Sequence, residues 1–141
     1  MTTSKRYVVD TNVLVSALLF ADSKPARVVF TVLAHSTLLI SVATLQELDT
    51  VLHRRKFDRY LTVEEREAFL LKLALTATMI DIGEFVQACR DPKDDKFLDV
   101  AVNGMADGVI TGDPDLLVLH PFRGIAILTP DAFLTEISLQ T

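Results

Sequence analysis

Residues 91–113 read DPKDDKFLDVAVNGMADGVITGD, and how this stretch is read decides the fold. Phe97, Leu98, Ala101, Val102 and Met105 recur at helical spacing, which predicts a helix from Asp95 with one apolar stripe. Residues 108–111 then read as a strand, closed by the turn signal Gly112-Asp113-Pro114. A helix from Asp95 to Ala106 rises roughly 16 Å at about 1.5 Å per residue. A strand from Gly108 to Asp113 returns roughly 16 Å at about 3.3 Å per residue. The two legs cancel, so Asp113 comes back to the level of Asp95. Gly104 and Gly108 suit the tight reversal between them.

Working outward, short β-rich runs alternate with helical patterns, which predicts βαβ units around a parallel sheet. Residues 6–9 read as the first strand, ending in Asp10-Thr11-Asn12, with a helix following through Phe20. A second helix starts at Ser23-Lys24-Pro25, with Pro25 in its first turn. Residues 37–41 are the second strand. Val42, Leu45, Leu48 and Leu52 then predict a helix over 43–56. Thr62 and Glu65 form a capping box for a helix that buries Phe69, Leu70 and Leu73. Strands are predicted at 79–82 and 125–128, and Pro130 opens the last helix. The expected fold class is α/β, and 141 residues predict a single domain over 1–141.

A chain of this length buries roughly 68–70% of its unfolded surface and needs no disulfide or structural metal to fold. Half of it is apolar, and its mean hydropathy is +0.34. No apolar run approaches the roughly 18 residues that span a bilayer. The surplus predicts a generous core or a self-association patch. Lys5 and Arg6 before an apolar run mimic an export signal, but Asp10 and Asn12 interrupt it. The single cysteine, Cys89, forms no intramolecular disulfide, so a reducing, cytoplasmic location is expected. A net charge of −5 argues against a nonspecific nucleic-acid coat protein. It is compatible with a nuclease whose acids bind metal. His53-Arg54-Arg55-Lys56 and Arg59 form the one dense basic patch.

Asp10, Glu47, Asp95 and Asp113 fall where apolar runs stop or resume. In a parallel sheet the strand ends converge on one edge, where ligands bind. Four carboxylates there repel one another, and stay ionised together only when a divalent cation neutralises them. Each acid also has a plainer role. Asp10 can cap the helix after it. Glu47 fits a capping-box pattern with Thr44. Asp95 suits the first turn of a helix, and Asp113 suits a turn. Four caps landing on one edge would be a coincidence, so the joint pattern favours a metal site. Mg²⁺ and Mn²⁺ take hard oxygen ligands. They acidify water and neutralise charge building on a phosphate, the two effects that phosphodiester hydrolysis needs.

Together, Val8-Val9-Asp10-Thr11-Asn12, Ser41 with Glu47, Asp95 with its helix, and Thr111-Gly112-Asp113 resemble the PIN (PilT N-terminus) domain nucleases. The stretch at 91–98 resembles the branch of toxin components in toxin–antitoxin pairs, akin to VapC. The resemblance spans essentially the whole chain. It implies a three-layer α/β/α fold with a central parallel sheet of four to five strands. It implies an endoribonuclease that cleaves RNA with Mg²⁺ or Mn²⁺, a homodimer, and a cognate antitoxin. Carried over by position, Asp10, Asp95 and Asp113 are implied metal ligands, and Glu47 binds metal directly or through water. Asn12 would hold Asp10 in place, while Thr111 and Ser41 would orient neighbouring carboxylates. Ordinary capping is the alternative for both. Asp99 lies one turn after Asp95 on the same face and is a candidate further ligand. Asp94 and Asp115 flank the set, and either could substitute for a neighbour in the assignment. Asp95 is favoured over Asp94 because it shares the face of Asp99.

Glu47, Val51 and Arg54 stand at i, i+4 and i+7, so a continuous helix puts Arg54 on the side of the glutamate. Arg54, Arg55 and Lys56 are candidate contacts to the RNA backbone. The alternative is a solvated helix end. Lys93 and Lys96 are further candidates of the same kind. His35, His53 and His120 have no zinc-ligand spacing. No serine or cysteine nucleophile motif and no phosphate-binding glycine loop is present. Cys89 reads as a packed side chain. Two rival readings stay open. In an aspartyl-phosphate phosphatase Asp10 would be the nucleophile, but Asn12 stands where a second aspartate is wanted, and no lysine follows Lys96. A phospho-receiver or a catalytically inert PIN-like binding module is the other, and a receiver wants a lysine that residues 124–130 lack.

Overall fold

The computed structural model describes residues 4–139. Among them, five parallel strands form one sheet: β1 (Arg6–Val9), β2 (Thr37–Ile40), β3 (Thr78–Met79), β4 (Gly108–Ile110) and β5 (Ala126–Leu128). Their order is β3-β2-β1-β4-β5. Val8 pairs with Val109 and Ile110 with Leu128. The helices are α1 (Thr11–Leu19), α2 (Lys24–His35), α3 (Val42–Leu52), α4 (Val63–Thr76), α5 (Asp95–Asn103), α6 (Pro114–Leu117) and α7 (Pro130–Leu139). No helix among the described residues is long and apolar enough to cross a membrane.

The two-residue period of a strand divides its side chains between the faces of the sheet. Tyr7, Val9, Leu38, Ile40 and Ile110 pack with Leu14, Val28, Leu48, Leu73 and Phe133 from α1, α2, α3, α4 and α7. Val8, Leu39, Val109 and Ile127 pack on the other face with Phe97, Leu98 and Ala101 of α5 and Leu116 of α6. The result is the three-layer α/β/α fold that the resemblance implied. The chain leaves β1 for β2 on one side and places β4 on the other. That reversal makes the C-terminal edge of β1 and β4 a switch point, the usual position of a binding crevice in such sheets.

Several helix starts match the sequence reading. The Ser23 side chain accepts the Ala26 amide at the head of α2, and Thr62 and Glu65 cap α4 reciprocally. Other expectations need correction. The predicted helix 43–56 is shorter: α3 is capped by Ser41 and ends at Leu52. The His53 amide closes it on Asp49, and Arg54 then turns extended into a short 3₁₀ turn, Arg55–Phe57. The helical phase relating Arg54 to Glu47 therefore stops before Arg54. The strand predicted at 79–82 is only Thr78–Met79. Met105 lies beyond α5, is 81% exposed, and is not part of its apolar stripe.

The reversal after α5 also works differently than glycine placement predicts. Met105, not Gly104, takes the left-handed backbone, with φ 54°. Gly104 is needed for space: a Cβ there would meet the Val100 carbonyl at 2.8 Å and Leu39 Cδ1 at 2.9 Å. Helix α6 is a further element the sequence reading did not foresee. Asp113 caps it and Pro114 occupies its first turn.

Candidate functional site

Asp10 follows β1 and is 5% exposed. Its amide donates to the Ile110 carbonyl at 2.9 Å, extending the β1–β4 pairing to the sheet edge. Its Oδ2 accepts the Thr111 hydroxyl at 2.6 Å. Burial pushes its carboxyl up; the Thr111 and Asn12 hydrogen bonds pull it down, and the charges of Asp113 and Glu47 push it up again. Thr111 follows β4 and is fully buried. Its Oγ1 also accepts the Asp113 amide at 3.0 Å. One hydroxyl thus couples the two strand-end acids.

Asp94, Asp113 and Asp115 bring carboxylate oxygens within 4.8 Å of one another. Asp94 ends the short 3₁₀ turn Pro92–Asp94. Burial, the charge of Asp113, a hydrogen bond with Asp113, and the charges of Asp91 and Asp10 push the Asp94 carboxyl up to about 6. Asp113 Oδ1 accepts the Asp115 amide at 2.9 Å. Asp115 in turn meets Arg90 at two points, 3.2 and 3.1 Å.

The expectation preferred Asp95 to Asp94, and it is Asp94 whose carboxylate meets Asp113 and Asp115. Asp95 Oδ1 accepts the amides of Ala88 and Cys89 at 3.1 and 2.8 Å. Burial opposes its charge, yet those amides and the Cys89 thiol hold its carboxyl below the usual aspartate value. Asp99 Oδ1 accepts the Val86 amide at 2.6 Å. Asn103 Oδ1 accepts the amides of Gly83 and Glu84, both at 3.0 Å. Residues 95, 99 and 103 stand at i, i+4 and i+8, so they do share one face of α5. That face holds the backbone of residues 83–89. The acid presented to Asp113 is Asp94, because the 3₁₀ turn places it one residue before the α-helical phase begins. The signal available in the sequence was Pro92, which marks such a turn.

Glu47 lies on α3, with its side chain 26% exposed. Thr11 Oγ1 donates to its Oε2 at 2.5 Å, and Lys96 Nζ donates to its Oε1 at 2.9 Å. Lys96, a candidate contact to the RNA backbone, is thus paired with Glu47. Ser41 was expected to orient a carboxylate. Its hydroxyl instead accepts the Thr44 amide at 3.2 Å, inside the capping box of α3. Asn12 reaches Asp10 through its backbone amide, at 3.4 Å. Arg54, Arg55 and Lys56 are exposed, and the Lys56 ammonium sits over the Phe57 ring. An open cleft of about 480 Å³ borders the acids, lined by Asp10, Asn12, Ser16, Gly112, Asp113 and Pro114 among others. A separate groove of about 400 Å³ is lined by Leu18, Val29, Phe30, Leu33 and Phe69 of α1, α2 and α4.

The sequence profile described as PIN domain matches residues 6–115, a span that contains Asp10, Glu47, Asp94, Asp113 and Asp115. An uncharacterised protein of Methanocaldococcus jannaschii, MJ1680, is 30% identical over 117 residues, covering 82% of this chain and 75% of that protein. PAE2754 from Pyrobaculum aerophilum superposes with a TM-score of 0.64 at 17% identity, covering 96% of this chain and 97% of the other. VapBC2 from Rickettsia felis, solved bound to a DNA fragment from its promoter, superposes with a TM-score of 0.57 at 14% identity. That match covers 88% of this chain and 98% of the other. At these identities the two structures show a shared fold.

Proposed function

The chain belongs to the PIN domain family, and on that premise we propose that it is a divalent-metal-dependent endoribonuclease acting as the toxin of a toxin–antitoxin pair. The observation that carries the reading is the meeting of Asp94, Asp113 and Asp115 within 4.8 Å, beside buried Asp10. The donor set fits Mg²⁺ or Mn²⁺, being hard carboxylate oxygens, part-buried and open to a cleft. The carboxyl–carboxyl contact of Asp94 with Asp113 is also one that a cation relieves. In this reading Asp94, Asp113 and Asp115 would hold the ion, with Asp10 beside them. A bound cation there supplies charge neutralisation on a phosphodiester and acidification of water.

The remaining roles belong to the chain. Thr111 fixes the carboxylate of Asp10 and the backbone of Asp113. Glu47 stands on the α3 side of the acids, held by Thr11 and Lys96. The open cleft beside Asp10 and Gly112 would receive the RNA strand, since it borders the acids. Arg54, Arg55 and Lys56 contact phosphates farther along the strand. The apolar groove between α1, α2 and α4, with Phe30 71% exposed, supports contact with the cognate antitoxin or with a second copy in a homodimer. The fold shared with VapBC2 supports the toxin assignment. The single half-buried Cys89 supports a cytoplasmic location.

The test is cleavage of end-labelled RNA by purified protein with Mn²⁺. Asp94→Asn and Asp113→Asn are expected to abolish cleavage without unfolding the chain, and a chelator to do the same. Persistent cleavage in the chelated enzyme rejects the reading. Mn²⁺ binding without cleavage of any RNA points to an inert binding module.

A further inference from the structure

Five acids line the strand edge, and they differ in how their charge is met. Asp115 faces Arg90, whose side chain is 84% exposed, so that pair is screened by solvent. Glu47 faces Lys96, and the two side chains are only 26% and 25% exposed. Both Glu47 oxygens are engaged, one by the Lys96 ammonium and one by the Thr11 hydroxyl. Asp10, Asp94 and Asp113 have no lysine, arginine or histidine within ion-pair distance among the described residues. The same short stretch at the head of α5 produces both arrangements: Asp94 meets Asp113, and Lys96, two residues on, reaches Glu47.

We propose that Lys96 is the internal counter-cation of Glu47 and sets the capacity of this acidic edge at one divalent ion. The inference rests on the metal reading above. An ammonium is a compact point charge with three donors on a flexible stem, and among the described residues Glu47 is the one carboxylate at ion-pair distance from it. While it sits on Glu47, the charge of the glutamate is matched and each of its oxygens already accepts a hydrogen bond. Removing it leaves the Glu47 charge unmatched near Asp10, and a second cation then has a place. Lys96 is thus a positioning residue, acting through Glu47.

The experiment counts Mn²⁺ bound per folded chain by the loss of free-ion electron paramagnetic resonance signal, with folding checked by circular dichroism. The wild type and Lys96→Arg are expected to bind one ion, Lys96→Met two, and Lys96→Met with Glu47→Gln one again. Lys96→Gln replaces the methionine variant if that chain does not fold. Two ions on the wild type, or one on every folded variant, overturns the inference and leaves the metal reading standing. No ion on folded wild type overturns both.

Discussion

Asp95 Oδ1 accepts the backbone amide of Cys89 at 2.8 Å, and this bond ties the first turn of α5 to the segment that runs before it. Neighbouring acids at 94 and 95 therefore answer to different demands. Asp95→Ala leaves two backbone amides without their acceptor, and a loss of about 2–4 kcal/mol in unfolding free energy is expected. Asp94→Asn removes a like charge beside Asp113, and is expected to leave the fold intact while lowering Mn²⁺ affinity at least about tenfold. Urea denaturation and Mn²⁺ titration of both variants check the pair. The opposite ordering would falsify the assignment of Asp94 to the site.

The acid cluster should be visible as a pH dependence of the metal-free protein. Asp94 has a folded-state value of about 6 against an ordinary 3.8. A raised acid contributes stability that is present below the unfolded value and is lost as pH rises through the folded one. Between about pH 4 and pH 7, Asp94 is expected to withdraw on the order of 1–2 kcal/mol, after solvent screening. Asp10 is shifted in the same direction. The urea midpoint in chelator should fall over this window, and Mn²⁺ should raise it more at pH 7 than at pH 5. A metal effect of equal size at both values contradicts the proposed site.

Thr111→Val removes a hydroxyl that donates to Asp10 and accepts from the Asp113 amide. A stability loss of about 1–3 kcal/mol is expected, with Mn²⁺ binding weakened about 10–100-fold. Thr111→Ser should recover most of the affinity. Wild-type affinity in the valine variant would show that this hydroxyl does not organise the acids.

Cys89 should be a slow thiol. Burial, then the hydrogen bond and charge of Asp95, push it up to about 12. Since the thiolate is the nucleophile, alkylation by iodoacetamide at pH 8 should run roughly a thousandfold slower than for an unperturbed thiol. Asp95→Ala should speed it. A rate near that of free cysteine in the folded wild type contradicts this environment.

The exposed cations beyond α3 should act on binding alone. Replacing Arg54, Arg55 and Lys56 together by alanine is expected to raise KM for RNA several-fold, leave kcat within about twofold, and flatten the salt dependence. A fall in kcat with unchanged KM would place these residues in a different role.

Much of the fold was legible because it follows from local chemistry. The alternation through Tyr7, Val8 and Val9 assigns successive side chains to opposite faces, and the structure buries them that way. Thr62 with Glu65, and Ser23 with Pro25, mark helix starts through bonds spanning three residues. The readings that missed extended a local rule across a junction. Continuing α3 to residue 56 carried Arg54 along with it. The turn through Pro92 and the helix start at Asp95 were legible, but helical spacing alone could not show that Asp95 turns to the 88–89 backbone while Asp94 meets Asp113.

By itself the sequence determined that strand ends would carry acids to one edge of a parallel sheet, because period and capping act over a few residues. Which carboxylates meet there was decided by tertiary structure alone. Asp94 and Asp113 are brought together by the packing of α5 against β4, and Asp95 is engaged by amides of a segment with no regular structure. Glu47 is matched with Lys96 across 49 residues of chain. A side chain's partner depends on where distant backbone comes to rest, and no local pattern encodes that distance.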